Sequence, residues 1–202
     1  MLFFFVIPLS FFFIRFQLAF FIVPLVFFLA LICYFYLRCS RQLVQMQLWT
    51  DEHFREDLKK VFITFIPLAA IMTLAALFII PELFLAFPKS KPEIWLLVML
   101  AYPLLAAYPQ EIIFRAFFFH RYGDLFPRRQ TLIIVNGLSF GLAHILYGNW
   151  LAPVLSTFGG VLFAFRYNQS RSILITAIEH GLWGNFLFTV GYGWFFYSGA
   201  IQ

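Results

Sequence analysis

Charge is what this sequence has least of. Of its 202 residues only 11% are charged, whereas 63% are hydrophobic and 31 are Phe. Soluble globular domains carry about a quarter charged residues, so the composition excludes that class. An apolar chain of this length indicates one integral membrane bundle, with the lipid bilayer as its surroundings.

Cysteine is scarce as well, and basic residues are missing at the start of the chain. Cys33 and Cys39 are too few for a disulfide framework. No Lys or Arg precedes the first apolar run, residues 2–14, so a cleavable signal peptide is not predicted. The net charge of +5 comes from Lys and Arg in short stretches between apolar runs, as in membrane-protein loops. A nucleic-acid partner is therefore not predicted.

The apolar runs predict the fold class. We expect an all-α, polytopic transmembrane helical bundle of about seven membrane segments, or six if the first run is not a crossing. Arg15 separates the first two runs, which form a hairpin or one long bent helix, and the hairpin is favoured. The predicted segments are residues 2–14, 17–37, 61–80, 94–120, 131–147, 150–165 and 173–196.

One extended polar stretch, residues 38–60, divides the chain. It is either a helix lying on the bilayer surface or a solvated linker. We therefore expect an N-terminal region, 1–60, of hydrophobic segments plus this cytoplasmic or interfacial stretch. A transmembrane core, 61–202, follows.

Loop charges predict the orientation. With seven crossings, three basic residues, Arg15, Lys89 and Lys91, fall on one side and ten on the other. The ten are Arg38, Arg41, Arg55, Lys59, Lys60, Arg121, Arg128, Arg129, Arg166 and Arg171. Because cytoplasmic loops are rich in Lys and Arg, the N-terminus is predicted to be cytoplasmic, in a cytoplasmic membrane.

Five ionisable residues stand inside the apolar runs: Glu111, Arg115, His144, Glu179 and His180. Each costs at least a few kcal/mol at bilayer depth unless it faces protein or water, so each is a candidate for function. Glu111 and Arg115 are four residues apart and share one face of a helix. A purely structural ion pair is therefore the competing interpretation for these two.

Each of the two histidines, His144 and His180, has notable residues near it in the sequence. Phe140 lies one turn before His144 on the same helix face, and Gly137 and Gly141 allow another helix to approach closely. His180 has Glu179 beside it in "EHGLWGN". A lone intramembrane histidine is often a hydrogen-bonded packing residue, and that interpretation stays open for each of them.

Three short stretches together resemble a known family. "QEIIFR", "FGLAH" and "EHGLWGN", in this order on three apolar segments, resemble the CAAX protease and bacteriocin-processing (Abi) family of glutamic intramembrane endopeptidases. The family pattern is Glu-Glu-x-x-x-Arg, then Phe-x-x-x-His, then His-x-x-x-Asn. The motif-bearing helices are the segments 94–120, 131–147 and 173–196.

The resemblance implies the activity and the roles of the residues. It implies hydrolysis of a peptide bond in a membrane-anchored or lipidated protein, with water activated by a glutamate and a histidine and without a metal or other cofactor. A second histidine and an asparagine would stabilise the oxyanion. Carried over to this chain, the catalytic residues are Glu111, His144, His180 and Asn185, and the supporting residues are Gln110, Arg115 and Phe140.

General chemistry agrees with this scheme. A carboxylate withdrawn from bulk water becomes a stronger base, and an adjacent imidazole can share or relay its proton. Preorganised donors in a site that excludes water are worth several kcal/mol to a developing oxyanion.

Two positions depart from the family pattern. The leading glutamate is Gln110 here, and an amide cannot act as a base, so Glu111 is predicted to take that role with His144 as partner. Asn185 follows His180 by five residues rather than four, which separates them by about 140° on a regular helix. Gly181 and Gly184 make a local distortion of that helix easier.

Three other functions compete with the glutamic endopeptidase. Gln110 favours a non-catalytic relative that binds or retains membrane partners. A zinc protease would use His144, His180 and Glu111 as ligands, although no His-Glu-x-x-His motif is present. A transporter is disfavoured because paired broken helices in matching halves are not visible.

Overall fold

The computed structural model describes residues 1–40 and 53–196, and within these ranges it has helices and connecting turns but no β-strand. The prediction of an all-α helical bundle is confirmed. The main helices are α1 (Leu2–Phe12), α2 (Ile22–Cys39), α3 (Phe54–Ile79), α4 (Pro92–Leu125), α5 (Arg129–Ala143), α6 (Leu151–Ser170) and α7 (Ile173–Val190).

Five of these helices are long and apolar enough to cross a membrane: α2, α3, α4, α7 and α5 together with the turn that extends it to Tyr147. The chain is accordingly an integral membrane protein. The sequence predicted about seven segments. The two that are not among the five are α1, which has 11 residues, and α6, which is less apolar.

The N-terminal region contains two separate helices. The chain turns at Phe13 and Ile14, after which short helical stretches lead into α2. The Arg15 guanidinium lies 4.4 Å from the ring centres of both Phe12 and Phe16 and donates to the Phe12 carbonyl. Side chains of α1 and α2 line the same pocket, as a hairpin requires and one long helix would not allow.

The predicted surface helix or linker falls largely on residues 41–52, outside the described residues. α3 begins at Phe54 with Glu56 and Asp57 in its first turn. Acidic residues there are favoured because the N-terminal end of a helix carries partial positive charge.

Glycines bring α5 and α6 together. A Cβ at Gly137 would lie 2.8 Å from the Val161 nitrogen, and one at Gly141 would lie 2.7 Å from the Pro153 carbonyl oxygen. A Cβ at Gly160 of α6 would lie 3.0 Å from the Gly137 Cα. The predicted small-residue face therefore exists, and it brings Phe140 close to α6.

A buried ion pair joins α3, α6 and α7. The Arg166 guanidinium donates to both Glu179 carboxylate oxygens, at 2.9 and 3.1 Å, and also to Thr64 and to the Lys60 carbonyl. Counting Arg166 among the loop charges was wrong, because it lies inside α6 and is 2% exposed. Glu179 compensates a charge that would be costly to bury alone.

α4 is irregular where it carries the first motif. Two π-helical segments, Pro103–Ala107 and Ile112–Phe117, flank Tyr108–Glu111. Such segments interrupt the regular backbone ladder and are frequent at functional sites. The Asn136 amide of α5 donates to the Phe114 carbonyl within the second segment, at 2.6 Å. This bond fixes the wider turn against α5.

Candidate active site

Glu111 and Arg115 form a fully buried ion pair. Both side chains are 0% exposed, and Glu111 Oε2 lies 3.1 Å from Arg115 Nε, without the alignment of a hydrogen bond. Arg115 donates to the Gly160 carbonyl at 3.3 Å, and its guanidinium carbon lies 4.6 Å from the Phe140 ring centre. The pairing expected from their spacing is present, and aromatic faces support the cation.

His180 is the second partner of Glu111. Its Nδ1 lies 2.8 Å from Glu111 Oε1, and its Nε2 lies 3.1 Å from the Tyr102 hydroxyl. The ring stacks on Phe163 with 4.7 Å between centres. Since a carboxylate oxygen accepts, Nδ1 carries the proton, and neutral His180 then accepts from Tyr102 at Nε2.

His144 faces a different space, together with Gln110. Its Nδ1 lies 2.8 Å from the Phe140 carbonyl oxygen, one turn back, so Nδ1 donates and the neutral ring keeps a lone pair on Nε2. The Gln110 and His144 side chains line an apolar pocket of about 130 Å³ between the α1–α2 pair and the motif-bearing helices. Gln110, His144 and Tyr147 supply the polar groups among its described lining residues.

The structure thus brings the predicted site residues together in two groups. Glu111, Arg115 and His180 share one buried network, whereas Gln110 and His144 line the pocket. The Phe140 ring contacts a member of each group, with its centre 4.8 Å from that of His144 and 5.4 Å from that of His180. Glu111 is bonded to His180, and not to the His144 that the sequence predicts as its partner.

Asn185 belongs to neither group. α7 is a regular helix, so the predicted distortion at Gly181 and Gly184 is absent from Ile173–Val190. The Asn185 amide donates to the Met99 carbonyl at 3.0 Å. Pro103, four residues after Met99, has no N–H to offer this carbonyl, so Asn185 replaces the missing helix bond.

We predict that Asn185→Leu lowers folding stability by about 1–3 kcal/mol, because the partly buried Met99 carbonyl loses its donor. Thermal unfolding of the purified protein in detergent measures the loss. The turnover number of the folded fraction should stay the same. A tenfold lower turnover number at unchanged stability would instead support the oxyanion role that the motif predicts for Asn185.

The zinc alternative requires three ligands around one point. Within residues 1–40 and 53–196, no three His, Cys, Asp or Glu side chains are arranged to hold a metal ion. Glu111 and His180 are adjacent, but His144 Nδ1 is bonded to the Phe140 carbonyl oxygen instead of to either of them.

Sequence reasoning missed Tyr102, Asn136 and the partner of Glu179. Asn136 is a fully buried amide in an apolar run, a signal that was available in "IIVNGLSFGLAH". Tyr102 has no such signal, because a tyrosine near a helix end is ordinary in a membrane protein. Its role depends on a contact with α7 that only the fold reveals.

The segment that carries the three motifs matches a known family model. Residues 92–187 match the family model described as Rce1-like, type II CAAX prenyl endopeptidase. Comparisons with curated proteins and with solved structures give no match. The matched segment holds all three motifs, which confirms the resemblance, and this family points to protease activity. The part of the chain that carries the motifs, residues 92–187, is thus similar to the Rce1-like family of type II CAAX prenyl endopeptidases.

Proposed function

We propose that this protein is an intramembrane endopeptidase that hydrolyses a peptide bond in a membrane-anchored or lipidated protein. The observation that carries the proposal is that His144 and Gln110, together with Tyr147, line a pocket whose other walls are apolar. Sites that bind and orient an apolar ligand are usually apolar cavities with a few polar groups.

The walls of the pocket support a lipidated substrate. Ten of its lining residues come from the first 29 of the chain, and all ten are apolar. They face Ile113, Phe114 and Leu146 across the cavity. The family description names a prenyl endopeptidase, and an isoprenoid chain matches walls of this chemistry. We propose that the substrate's lipid lies here, with its peptide at the Gln110 and His144 end.

His144 is the proposed base. Because Nδ1 donates to the Phe140 carbonyl, the lone pair of the neutral ring is on Nε2. Nε2 takes a proton from water while the water oxygen bonds to the substrate carbonyl carbon. The same nitrogen then gives that proton to the leaving amine as the carbon–nitrogen bond breaks. The Gln110 amide supplies N–H donors that orient the substrate.

In this scheme Glu111 does not contact the substrate and acts through Arg115 and His180. The sequence predicts it as the base, but both of its oxygens face Arg115 and His180 in the protein interior. We propose that its charge holds Arg115 and fixes the tautomer and orientation of His180, as a buried carboxylate does beside a catalytic histidine.

A second candidate function is a non-catalytic relative that binds membrane partners. Its support is Gln110, whose amide lines the pocket beside His144 where the family pattern has a glutamate. A pocket that keeps its lipid-binding walls without a carboxylate would bind a lipidated protein and release it uncut.

One experiment separates these functions. Wild-type protein in detergent is incubated with a farnesylated peptide and with the same peptide unmodified, and the products are identified by mass spectrometry. We expect the farnesylated peptide to be cleaved at least about tenfold faster. The comparison is repeated with Gln110→Glu, and with Gln110→Leu as the matched variant without a carboxylate.

The outcomes differ for each hypothesis. An inert wild type with an active Gln110→Glu variant identifies a relative that has lost its base. An inert wild type and an inert Gln110→Glu variant contradict an endopeptidase altogether. Activity that a chelator removes and Zn²⁺ restores would replace the metal-free scheme.

We also propose the placement predicted from the loop charges, with a cytoplasmic N-terminus in a cytoplasmic membrane. With Arg166 removed from the count, nine basic residues still fall on the N-terminal side against three. The proposed division into region 1–60 and core 61–202 separates one wall of the pocket from the helices that carry the motifs.

A further inference from the structure

We propose that Tyr102 is a catalytic residue, whose hydroxyl donates a hydrogen bond to the oxyanion formed during peptide hydrolysis. This inference rests on the proposed endopeptidase function. It gives a role to a side chain that no sequence motif includes and that meets His180 from a neighbouring helix.

The first observation is the hydrogen-bonded chain that ends at Tyr102. Glu111 Oε1 accepts from His180 Nδ1 at 2.8 Å, and His180 Nε2 accepts from the Tyr102 hydroxyl at 3.1 Å. Unlike Glu111 and His180, Tyr102 is only partly buried. It is therefore the member of the chain that a substrate can reach.

The second observation is the place that the hydroxyl occupies. A Cβ built on Gly184 would overlap the Tyr102 ring and lie 2.6 Å from its hydroxyl oxygen. Gly184 is four residues after His180, the position where the motif pattern has asparagine. The phenol thus stands where a side chain of residue 184 would start, and the glycine gives it the space.

The third observation is that Asn185 is already bonded elsewhere and does not serve as the oxyanion donor. Asn185, the asparagine nearest to the motif position, gives its amide to the Met99 carbonyl at 3.0 Å. In a regular α7 it lies about 100° around the helix from residue 184. Tyr102 is therefore the side-chain donor beside His180 Nε2.

Packing and a hydrogen bond define the position of the Tyr102 side chain. Its ring packs edge-on against Phe188, with 5.6 Å between centres, and a π-helical segment starts at Pro103. Its ring centre lies 6.0 Å from that of His180, and His180 and His144 both contact the Phe140 ring. The hydroxyl is thus held beside His180, one of the two histidines that contact Phe140.

The chemistry requires only a rotation of the hydroxyl. When water attacks and His144 Nε2 takes its proton, the carbonyl oxygen gains negative charge. A hydroxyl hydrogen rotates to suit its partners, so the Tyr102 O–H turns from His180 Nε2 to this oxygen. No bond to Tyr102 forms or breaks. The donor is in place before the charge develops, which is what makes such groups effective.

The test uses Tyr102→Phe in the full-length protein, with the farnesylated peptide as substrate. Loss of one oxyanion donor should lower kcat by about 10²-fold while KM stays within about twofold. Tyr122→Phe is the matched control, because Tyr122 does not line the pocket and its ring packs against Phe118. It should keep wild-type kcat.

A rescue distinguishes a donor from a packing residue. In Tyr102→Ala/Gly184→Asn, the ring is removed and an amide donor is placed one turn after His180. We expect the kcat of this variant to be at least tenfold higher than that of Tyr102→Ala. Tyr102→Ala/Gly184→Leu fills the same space without a donor, and its kcat should equal that of Tyr102→Ala. Equal recovery by asparagine and leucine overturns the inference.

The two levels of the proposal fail separately. An active wild type with an equally active Tyr102→Phe variant overturns the role of Tyr102 and leaves the endopeptidase standing. If neither the wild type nor the Gln110→Glu variant cleaves either peptide, the endopeptidase function is overturned, and the role of Tyr102 is overturned with it.

Discussion

Glu111→Gln should cost about 3–5 kcal/mol of folding stability, the usual effect of removing one partner of a buried ion pair. The amide can still accept from His180 Nδ1. It leaves Arg115, however, as a positive charge that is 0% exposed and has no compensating carboxylate at 3.1 Å. Thermal unfolding in detergent measures the loss.

Arg115→Met in the same chain should restore most of that stability. Replacing both members of a buried pair with neutral groups of similar volume is often neutral or stabilising, because neither charge must then leave water. Methionine fills the space between Phe140 and Phe163 that the guanidinium occupies. A Glu111→Gln variant as stable as the wild type would show that Arg115 does not need this partner.

The restored double variant also separates two roles of Glu111. If the protein regains both stability and peptide cleavage, Glu111 serves the fold alone. If it regains stability but stays at least tenfold slower, the carboxylate serves the chemistry through His180. A single Glu111 variant cannot make this distinction, because the loss of folded protein hides any loss of turnover.

His144→Gln should lower kcat by about 10²- to 10⁴-fold, the usual contribution of a general base. Glutamine is a close match in size and its amide can still donate to the Phe140 carbonyl. Neither end of an amide can take a proton from water. Initial rates with the farnesylated peptide, together with the melting temperature, show whether activity falls while the fold remains.

His120→Gln is the control for that substitution. His120 lies near the end of α4, where its ring is 6.3 Å from that of Tyr36, and it does not line the pocket. Its kcat should equal that of the wild type. Equal rates for the wild type and both histidine variants would exclude His144 as the base and return attention to Glu111.

Several features could be predicted because they depend on composition or on spacing within one helix. The apolar runs predicted a helical membrane bundle, and five helices of sufficient length and hydropathy are present. The four-residue spacing of Glu111 and Arg115 predicted their ion pair, and Gly137 with Gly141 predicted a close helix contact. Three motifs in order predicted the family that residues 92–187 match.

Relations between helices could not be predicted in the same way. The sequence paired Glu111 with His144, but the carboxylate meets His180 and the imidazole of His144 faces the pocket beside Gln110. Each residue turns a regular helix by about 100°, and a π-helical turn holds more residues, so two such segments in α4 rotate its motif relative to α5 and α7. No spacing rule contains that rotation.

By itself the sequence determined the class of protein, the motif-bearing helices and the family that residues 92–187 resemble, because apolar length and local spacing are properties of the sequence. Only the tertiary structure decided which histidine holds Glu111, that Gln110 lines the pocket, that Asn185 serves Met99, and that Tyr102 meets His180. These contacts join side chains from different helices. Their geometry follows from how glycines, prolines and π-helical turns set each helix against its neighbours.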